Sequence, residues 1–153
     1  MQLDDQDRRL LALLQTDCRL SNADLAEAVG MSTSACWRRV RAFEEAGIVT
    51  RYGAHVDAAR LGLGFQAIVH VQLTRHDPAR LKEFIEAVQG RDEVLDCYAT
   101  TGQADYHLRV LCRDIAAYNG FLEDFLFRLP ALQSAQTNVV LREIKRARGI
   151  PLG

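Results

Sequence analysis

Residues 21–47 of this chain, SNADLAEAVGMSTSACWRRVRAFEEAG, constrain the fold more than any other stretch. Ser21, with Asp24 three positions on, carries a capping-box signature, and Leu25, Ala26 and Val29 then recur at helical spacing. Gly30 supplies the left-handed conformation that a sharp turn needs, and Ser32 can cap a second helix. At about 100° per residue, Cys36, Val40 and Phe43 share one face of that helix, while Ser34, Arg38, Arg41 and Glu45 lie nearly opposite. Trp37 falls on a flank and Gly47 ends the helix. Two capped helices joined by a short stiff turn, the second offering serine and arginine outward, have the layout of a helix-turn-helix DNA reader. The candidate DNA contacts are Ser32, Thr33, Ser34, Trp37, Arg38 and Arg41. Arg39 projects close to the apolar stripe and is expected to form a structural ion pair. The competing reading is the ordinary solvated charged face of an amphipathic helix.

A further helix precedes this pair. It begins near Asp4 or Asp5, with Leu3 as a staple, Asp7 in the first turn and Leu10, Leu11 and Leu14 along one side. After Gly47, residues 48–56 (IVTRYGAHV) read as extended, a short hairpin or wing whose Arg51 and Tyr52 could touch a phosphate backbone or simply form a solvated turn. The run Leu61-Gly62-Leu63-Gly64 is the best domain boundary. This gives a DNA-binding domain over 1–50, a hairpin or linker over 51–64 and a second domain over 65–153.

The second domain alternates strand and helix patterns. Residues 65–74 place Phe65, Ala67, Val69, Val71 and Leu73 on one side and Gln66, His70, Gln72 and Thr74 on the other, a half-buried strand. Asp77-Pro78 opens a helix with the stripe Leu81, Phe84, Ile85 and Val88, closed by Gly90. Strands over 94–101 and 105–112 follow, joined around Gly102. A helix from a cap at Asp114 to Leu129 carries Ile115, Tyr118, Phe121, Leu122 and Phe125, and Pro130 blocks its continuation. A last strand runs over about 133–144. The order β-α-β-β-α-β specifies an α+β fold: an amino-terminal winged helix-turn-helix followed by a ferredoxin-like domain, a four-stranded antiparallel sheet with both helices on one face. His70, His107, Arg109, Asn138, Val140, Arg142 and Ile144 are candidates for the uncovered face, which a twofold-related copy could cover.

Composition narrows the function. The formal net charge of −1 excludes a general polyanion coat, so affinity for nucleic acid has to come from a local cluster, doubled by oligomerisation. Lys82 and Lys145 are the only lysines; arginine, with its planar fork, supplies the remaining positive charge. No apolar run approaches bilayer length and MQLDDQDRR is too charged for a signal peptide, which points to the cytoplasm and to no membrane partner. Cys18, Cys36, Cys97 and Cys112 are scattered without a CxxC pair, the pattern of buried free thiols rather than of disulfides or a metal site.

With both halves read, the chain resembles the leucine-responsive and asparagine-synthase regulator (Lrp/AsnC) family. The resemblance rests on Leu3-Asp4, Asp7, Leu10-Leu11, Leu14-Gln15, Asp17, Arg19 and Ser21, then Leu25-Ala26, Ser32, Ser34, Cys36-Trp37-Arg38-Arg39-Val40, Glu44, Gly47, Tyr52, Val56-Asp57 and Leu61-Gly62. It continues through Cys97-Tyr98, Thr101-Gly102-Gln103-Ala104-Asp105-Tyr106 and Leu141-Arg142-Glu143-Ile144-Lys145-Arg146. Cys18 departs from the small residue usual in the family. The resemblance implies a sequence-specific transcription factor that binds double-stranded DNA, dimerises through its second domain, often assembles dimers into octamers, and answers to a free amino acid with no other cofactor. It also implies an effector site formed by Tyr98, Thr100, Thr101, Gly102 and Asp105. Chemically, backbone N–H groups freed at Gly102 could hold the carboxylate of an amino acid and Asp105 its ammonium. Equally, Gly102 could only turn a hairpin and Asp105 only cap it. The effector leans toward an apolar or branched amino acid.

The main rival is an enzyme. Siroheme decarboxylases resemble the same two-part chain, and His70, His107, Arg109 and Arg142 are the residues such a reaction would need. Histidines at strand positions are more often structural, and the outward arginines would then have no task. A metal sensor lacks ligand-like spacing, and a ligand-binding scaffold that has lost its DNA role leaves Arg38 and Arg41 unexplained.

Overall fold

Local chemistry sets the element boundaries in the computed structural model, which describes residues 2–74, 77–147 and 149–152. The chain divides into two compact units, Met1–His55 with Ile144–Gly153, and Val56–Glu143.

The first unit holds α1 (Asp5–Thr16), α2 (Asn22–Val29) and α3 (Thr33–Glu45). Both α1 and α2 begin with reciprocal capping boxes, Asp4 with Asp7 and Ser21 with Asp24. Gly30 stops α2 in the left-handed conformation at φ 70°, and the Ser32 hydroxyl caps α3 by accepting from the Ala35 N–H. Leu10, Leu11, Leu25, Ala26, Val29, Cys36 and Phe43 are buried together as one core. The expected hairpin or wing over 48–56 forms no strand. The Ile48 and Val49 N–H groups both bond the Phe43 carbonyl, and the Tyr52 hydroxyl is bonded to Glu44, so local contacts with α3 replace a ladder.

The second unit holds β1 (Phe65–Leu73), α4 (Pro78–Gln89), β2 (Val94–Ala99), β3 (Tyr106–Cys112), α5 (Ile115–Asp124) and β4 (Leu132–Val139). The sheet order is β2-β3-β1-β4 and the pairs are antiparallel, as the ferredoxin-like reading requires. Ala67, Val69, Val71, Leu108 and Val110 on one sheet face pack with Phe84 and Val88 of α4 and Tyr118 and Phe121 of α5.

Several boundaries differ from expectation. α5 stops at Asp124 rather than running to Leu129, because Phe125 leaves helical geometry (φ −126°, ψ −72°) and a short 3-10 turn then drives Leu126 fully into the core. Ile115, expected in the buried stripe, is 63% exposed. β4 ends at Val139 rather than near residue 144. Val139 pairs with Ala67 and the Val140 N–H bonds the Gln66 carbonyl, so the strand runs out of partner where β1 begins. Arg142 and Ile144 therefore lie beyond the sheet. Cys36 and Cys112 are buried as expected, whereas Cys97 is exposed on the edge strand β2.

The carboxyl terminus is a larger correction to the 65–153 domain. Residues Ile144–Gly153 group with the first unit. The Gln15 amide holds Ile150 by two bonds, Nε2 to the Ile150 carbonyl at 3.2 Å and the Ile150 N–H to Oε1 at 2.7 Å. The Arg8 guanidinium donates to the Leu152 carbonyl, and Leu152 packs on the helical core. A Cβ at Gly149 would fall 2.5 Å from Gln15 Oε1, so glycine permits this close approach. Among the described residues no helix is long and apolar enough to cross a membrane.

Capping makes the first unit acid-sensitive. The Asp7 backbone N–H, then Arg39, hold the Asp4 carboxyl below its ordinary range, and the Ser21 hydroxyl and backbone do the same for Asp24. Carboxyls depressed in the folded state contribute stability that is fully present above the unfolded value near pH 4 and is lost as pH falls through the folded value. Circular dichroism melts should therefore show stability falling below about pH 4, and the Asp4→Asn, Asp24→Asn double variant should show a shallower fall. An identical acid dependence in the variant contradicts this assignment.

Candidate functional site

The outward side of α3 is set by what its inward side holds. Arg39 turns back to α1, where Nη1 lies 2.7 Å from Asp4 Oδ2 and 2.6 Å from Asp7 Oδ1. This is the structural ion pair expected from the sequence. Arg41 lies on the exposed side, paired with Glu45 at 2.9 Å and with its guanidinium 5.4 Å from the Trp37 ring centroid. Trp37 itself is 49% exposed. Glu44 accepts from the Tyr52 hydroxyl at 2.7 Å. Arg38 is exposed and, among the described residues, pairs with no carboxylate. Ser32, Thr33 and Ser34 form the exposed first turn, with the two serine hydroxyls 3.3 Å apart. Arg51 is exposed beyond the helix, whereas the Tyr52 hydroxyl is engaged by Glu44 and is not poised for a phosphate.

The second unit contains a cleft of about 530 Å³ between the start of α4 and the ends of β1 and β3. It brings together only two of the five expected effector residues, Thr100 and Asp105. Leu73, Leu81, Tyr106, Ala131 and Pro78 form apolar walls, and Thr74 and Asp77 add polar groups. Tyr98 pairs with His107 on the opposite sheet face and does not line the cleft, nor do Thr101 and Gly102. Gly102 does adopt φ 118°, as the turn requires. Of the lining residues missed from sequence, Leu81 had one available signal, its place at the amino-terminal end of the apolar stripe of α4; the structure leaves it 38% exposed, at the cleft rather than in the core.

Asp105 has a structural task as well. Its Oδ2 accepts the Leu73 N–H at 2.8 Å where β1 shifts register, and its backbone N–H bonds the Val71 carbonyl. The Thr100 hydroxyl donates to the Ala104 carbonyl at 3.2 Å and that of Thr74 to the Ala131 carbonyl at 2.9 Å, leaving their oxygens able to accept. Burial raises the Tyr106 phenol. A pocket of this size, with apolar walls, two carboxylates and hydroxyls at one side, fits a small amphiphilic cation or zwitterion.

On the uncovered sheet face the His70 and His107 rings meet edge-on at 4.6 Å, His70 Nε2 lies 2.9 Å from Asn138 Nδ2, and Arg109 pairs with Asp96. Of the residues a tetrapyrrole reaction would need, His70 and His107 thus meet each other, Arg109 is held by Asp96, and Arg142 lies off the sheet. No group of three or more His, Cys, Asp or Glu among the described residues could hold a metal ion.

The family model described as the Lrp/AsnC ligand binding domain matches residues 66–150, more than half of the chain, and one described as winged helix-turn-helix DNA-binding matches residues 3–50. The chain belongs to the Lrp/AsnC family. It is 32% identical over 150 residues to the transcriptional regulator AzlB of Bacillus subtilis, covering 98% of this chain and 96% of that protein. To the leucine-responsive regulatory protein of Escherichia coli K12 it is 35% identical over 145 residues, 95% and 88% of the two chains. A transcriptional regulator from Neisseria meningitidis, solved as a complex with L-Met, superposes with a TM-score of 0.95 at 37% identity, over 99% and 97% of the two chains. E. coli AsnC superposes at 0.87 with 26% identity, over 97% of this chain and 100% of that one. The protein is thus a DNA-binding transcriptional regulator of the Lrp/AsnC type with a ligand-binding domain. These relatives are named as regulators.

The brace beside the Lrp/AsnC reading helix has a spectroscopic consequence. Burial, then the bond to Glu44, push the Tyr52 phenol up to about 12. Ultraviolet titration should show a tyrosinate forming near pH 12, and Glu44→Gln should lower that midpoint without restoring the ordinary value, since burial remains. An unchanged midpoint in Glu44→Gln removes the bond from the account.

Proposed function

We propose that this Lrp/AsnC regulator reads DNA through Arg38, with Arg41 and Trp37 forming a braced flank, and that an amino acid in the Asp105 cleft modulates it. The observation that carries the first part is the asymmetry on α3: Arg39 is clasped by Asp4 and Asp7, Arg41 by Glu45, and Arg38 extends outward without an acidic neighbour holding it. A guanidinium with its fork unengaged can bond a guanine edge or a phosphate bidentately. Ser32, Thr33, Ser34 and Arg51 would add backbone contacts, which position the helix rather than read sequence.

The cleft supports an amino-acid effector because Asp105 and Asp77 can receive an ammonium, while Leu73, Leu81, Tyr106 and Ala131 suit an apolar side chain. The L-Met complex of the Neisseria regulator supports the same ligand class. Thr101 and Gly102 contribute by shaping the turn that presents Asp105. The His70 face supports a homodimer, with larger assemblies of dimers possible through other surfaces, and a dimer would place two reading helices on half-sites about 34 Å apart or a multiple of that. Ligand would then alter DNA occupancy by preferring one assembly geometry over another. Action on DNA in the cytoplasm follows from that reading.

Two measurements test it. Arg38→Ala should weaken binding to the chain's own upstream duplex by about 5- to 150-fold, the range for one good base contact, and should narrow the gap to unrelated DNA; equal affinity in fluorescence anisotropy would remove Arg38 from the interface. Asp105→Asn keeps an oxygen to accept from Leu73 but loses the charge, so it should fold normally and lose its response to amino acids in calorimetry. An unaltered response would exclude the carboxylate as the ammonium partner.

A further inference from the structure

The carboxyl-terminal tail creates a second basic surface on the DNA-binding unit. A groove of about 1030 Å³ runs between α1 and the tail, and its lining includes four cationic side chains, Arg8, Arg9, Lys145 and Arg146, against one carboxylate, Asp5. That is a locally basic lining in a chain of formal net charge −1. Lys145 and Arg146 join Arg8 and Arg9 there because the tail is docked: the Gln15 amide clamps Ile150, and Leu152 is seated on the helical core. Arg9 and Lys145 are exposed, and among the described residues neither is paired with a carboxylate. Lys145 is one of only two lysines in the chain.

We propose that this groove grips the phosphate backbone of DNA, with Arg9 and Lys145 as the principal contacts and Gln15 as the positioning residue that holds the tail in place. The inference rests on the DNA-binding reading of the same unit but not on which face of α3 does the reading. Adjacent helical positions point about 100° apart, so Arg8 and Arg9 spread their charges instead of converging on one point. Together with Lys145 and Arg146 they make a strip, which suits a repeating polyanion better than a single small anion. Phosphate contacts carry no sequence information, so this surface would add affinity and salt dependence without altering preference.

The experiment measures affinity against salt, between about 50 and 200 mM, for the upstream duplex and for an unrelated duplex of equal length. It compares the full-length protein with the Arg9→Gln, Lys145→Gln double variant, with Gln15→Ala and with Arg38→Ala, each checked for folding by circular dichroism. The double variant should bind both duplexes several-fold more weakly by the same factor, and its slope of log K on log salt should be shallower by about 1 per lost contact. Gln15→Ala removes no charge and should lose part of the same slope. Arg38→Ala should instead reduce the ratio between the two duplexes. An unchanged slope in the double variant, with Arg38→Ala still effective, overturns this inference alone. A shallower slope with Arg38→Ala inert overturns the α3 assignment and leaves this one standing. If the unmodified protein binds neither duplex, both fall.

Discussion

Arg39 is the contact on which the DNA-binding unit turns. Its guanidinium reaches from α3 to the two carboxylates that also build the capping box of α1. One cluster therefore closes the amino terminus of α1 and fixes the rotation of α3 about its axis. Asp7 is the one buried charged residue of the described chain, and burying it is tolerable because it is matched both by the guanidinium and by the Asp4 N–H. Rotation is the quantity that matters for a reading helix. At about 100° per residue, a shift by one position would carry Arg38 from solvent toward the core and expose Arg39. The ion pair adds to the register already set by Cys36 and Phe43, whose side chains are fully buried. Apolar packing resists displacement, and the paired charges make alternative rotations leave a carboxylate unpaired.

A comparable double use marks Asp105. The residue sits just past the end of the β1–β3 ladder, accepting the Leu73 N–H that a longer β3 would have met with a carbonyl. The end of the ladder and the carboxylate explain each other: Leu73 lies beyond the last β1–β3 pair, Val71 with Tyr106, so its N–H needs an acceptor, and the acceptor is thereby held at the rim of a cleft. A charged group fixed by a backbone donor is pre-organised for a ligand, since little side-chain entropy remains to be lost on binding. Such an arrangement also means that substitution by an apolar residue disturbs strand and site together.

The sequence was most legible where short-range chemistry decides the outcome. Ser21 with Asp24, Gly30, Ser32 and Asp77-Pro78 each specify a boundary through bonds made within a few residues, and each boundary lies where the pattern puts it. Alternation in β1 likewise reports burial directly, because one face is covered by helices and the other is not. Where a boundary depends on a distant partner, the pattern is silent. The end of β4 is fixed by the start of β1, and the end of α5 by the pull of Leu126 into the core, an effect that helical periodicity through Phe125 and Leu129 masks. The cleft was half legible for the same reason: Thr100 and Asp105 are close in sequence, whereas Leu73, Leu81 and Ala131 come from three other segments. The tail was the least legible, since a glycine and a polar glutamine side chain, Gly149 and Gln15, fix it, and neither carries a periodic signal.

Charge is distributed so that a nearly neutral chain can still meet a polyanion. Three arginines of the first unit are tied to acids: Arg19 to Asp17, Arg39 to Asp4 and Asp7, and Arg41 to Glu45. The exposed pairs Arg19–Asp17 and Arg41–Glu45 contribute little to stability, yet they cancel charge locally and so sharpen the contrast with cations left unpaired. Arg38 on α3, Arg51 beyond it, and Arg8, Arg9 and Lys145 beside the tail are exposed cations that, among the described residues, no ion pair offsets. In 0.15 M salt the screening length is about 8 Å, so the potential felt by an approaching phosphate is set by those near neighbours and hardly at all by the acidic remainder of the chain. A formal charge of −1 and affinity for DNA are compatible on this account because pairing removes acids from the binding surface rather than adding bases to it.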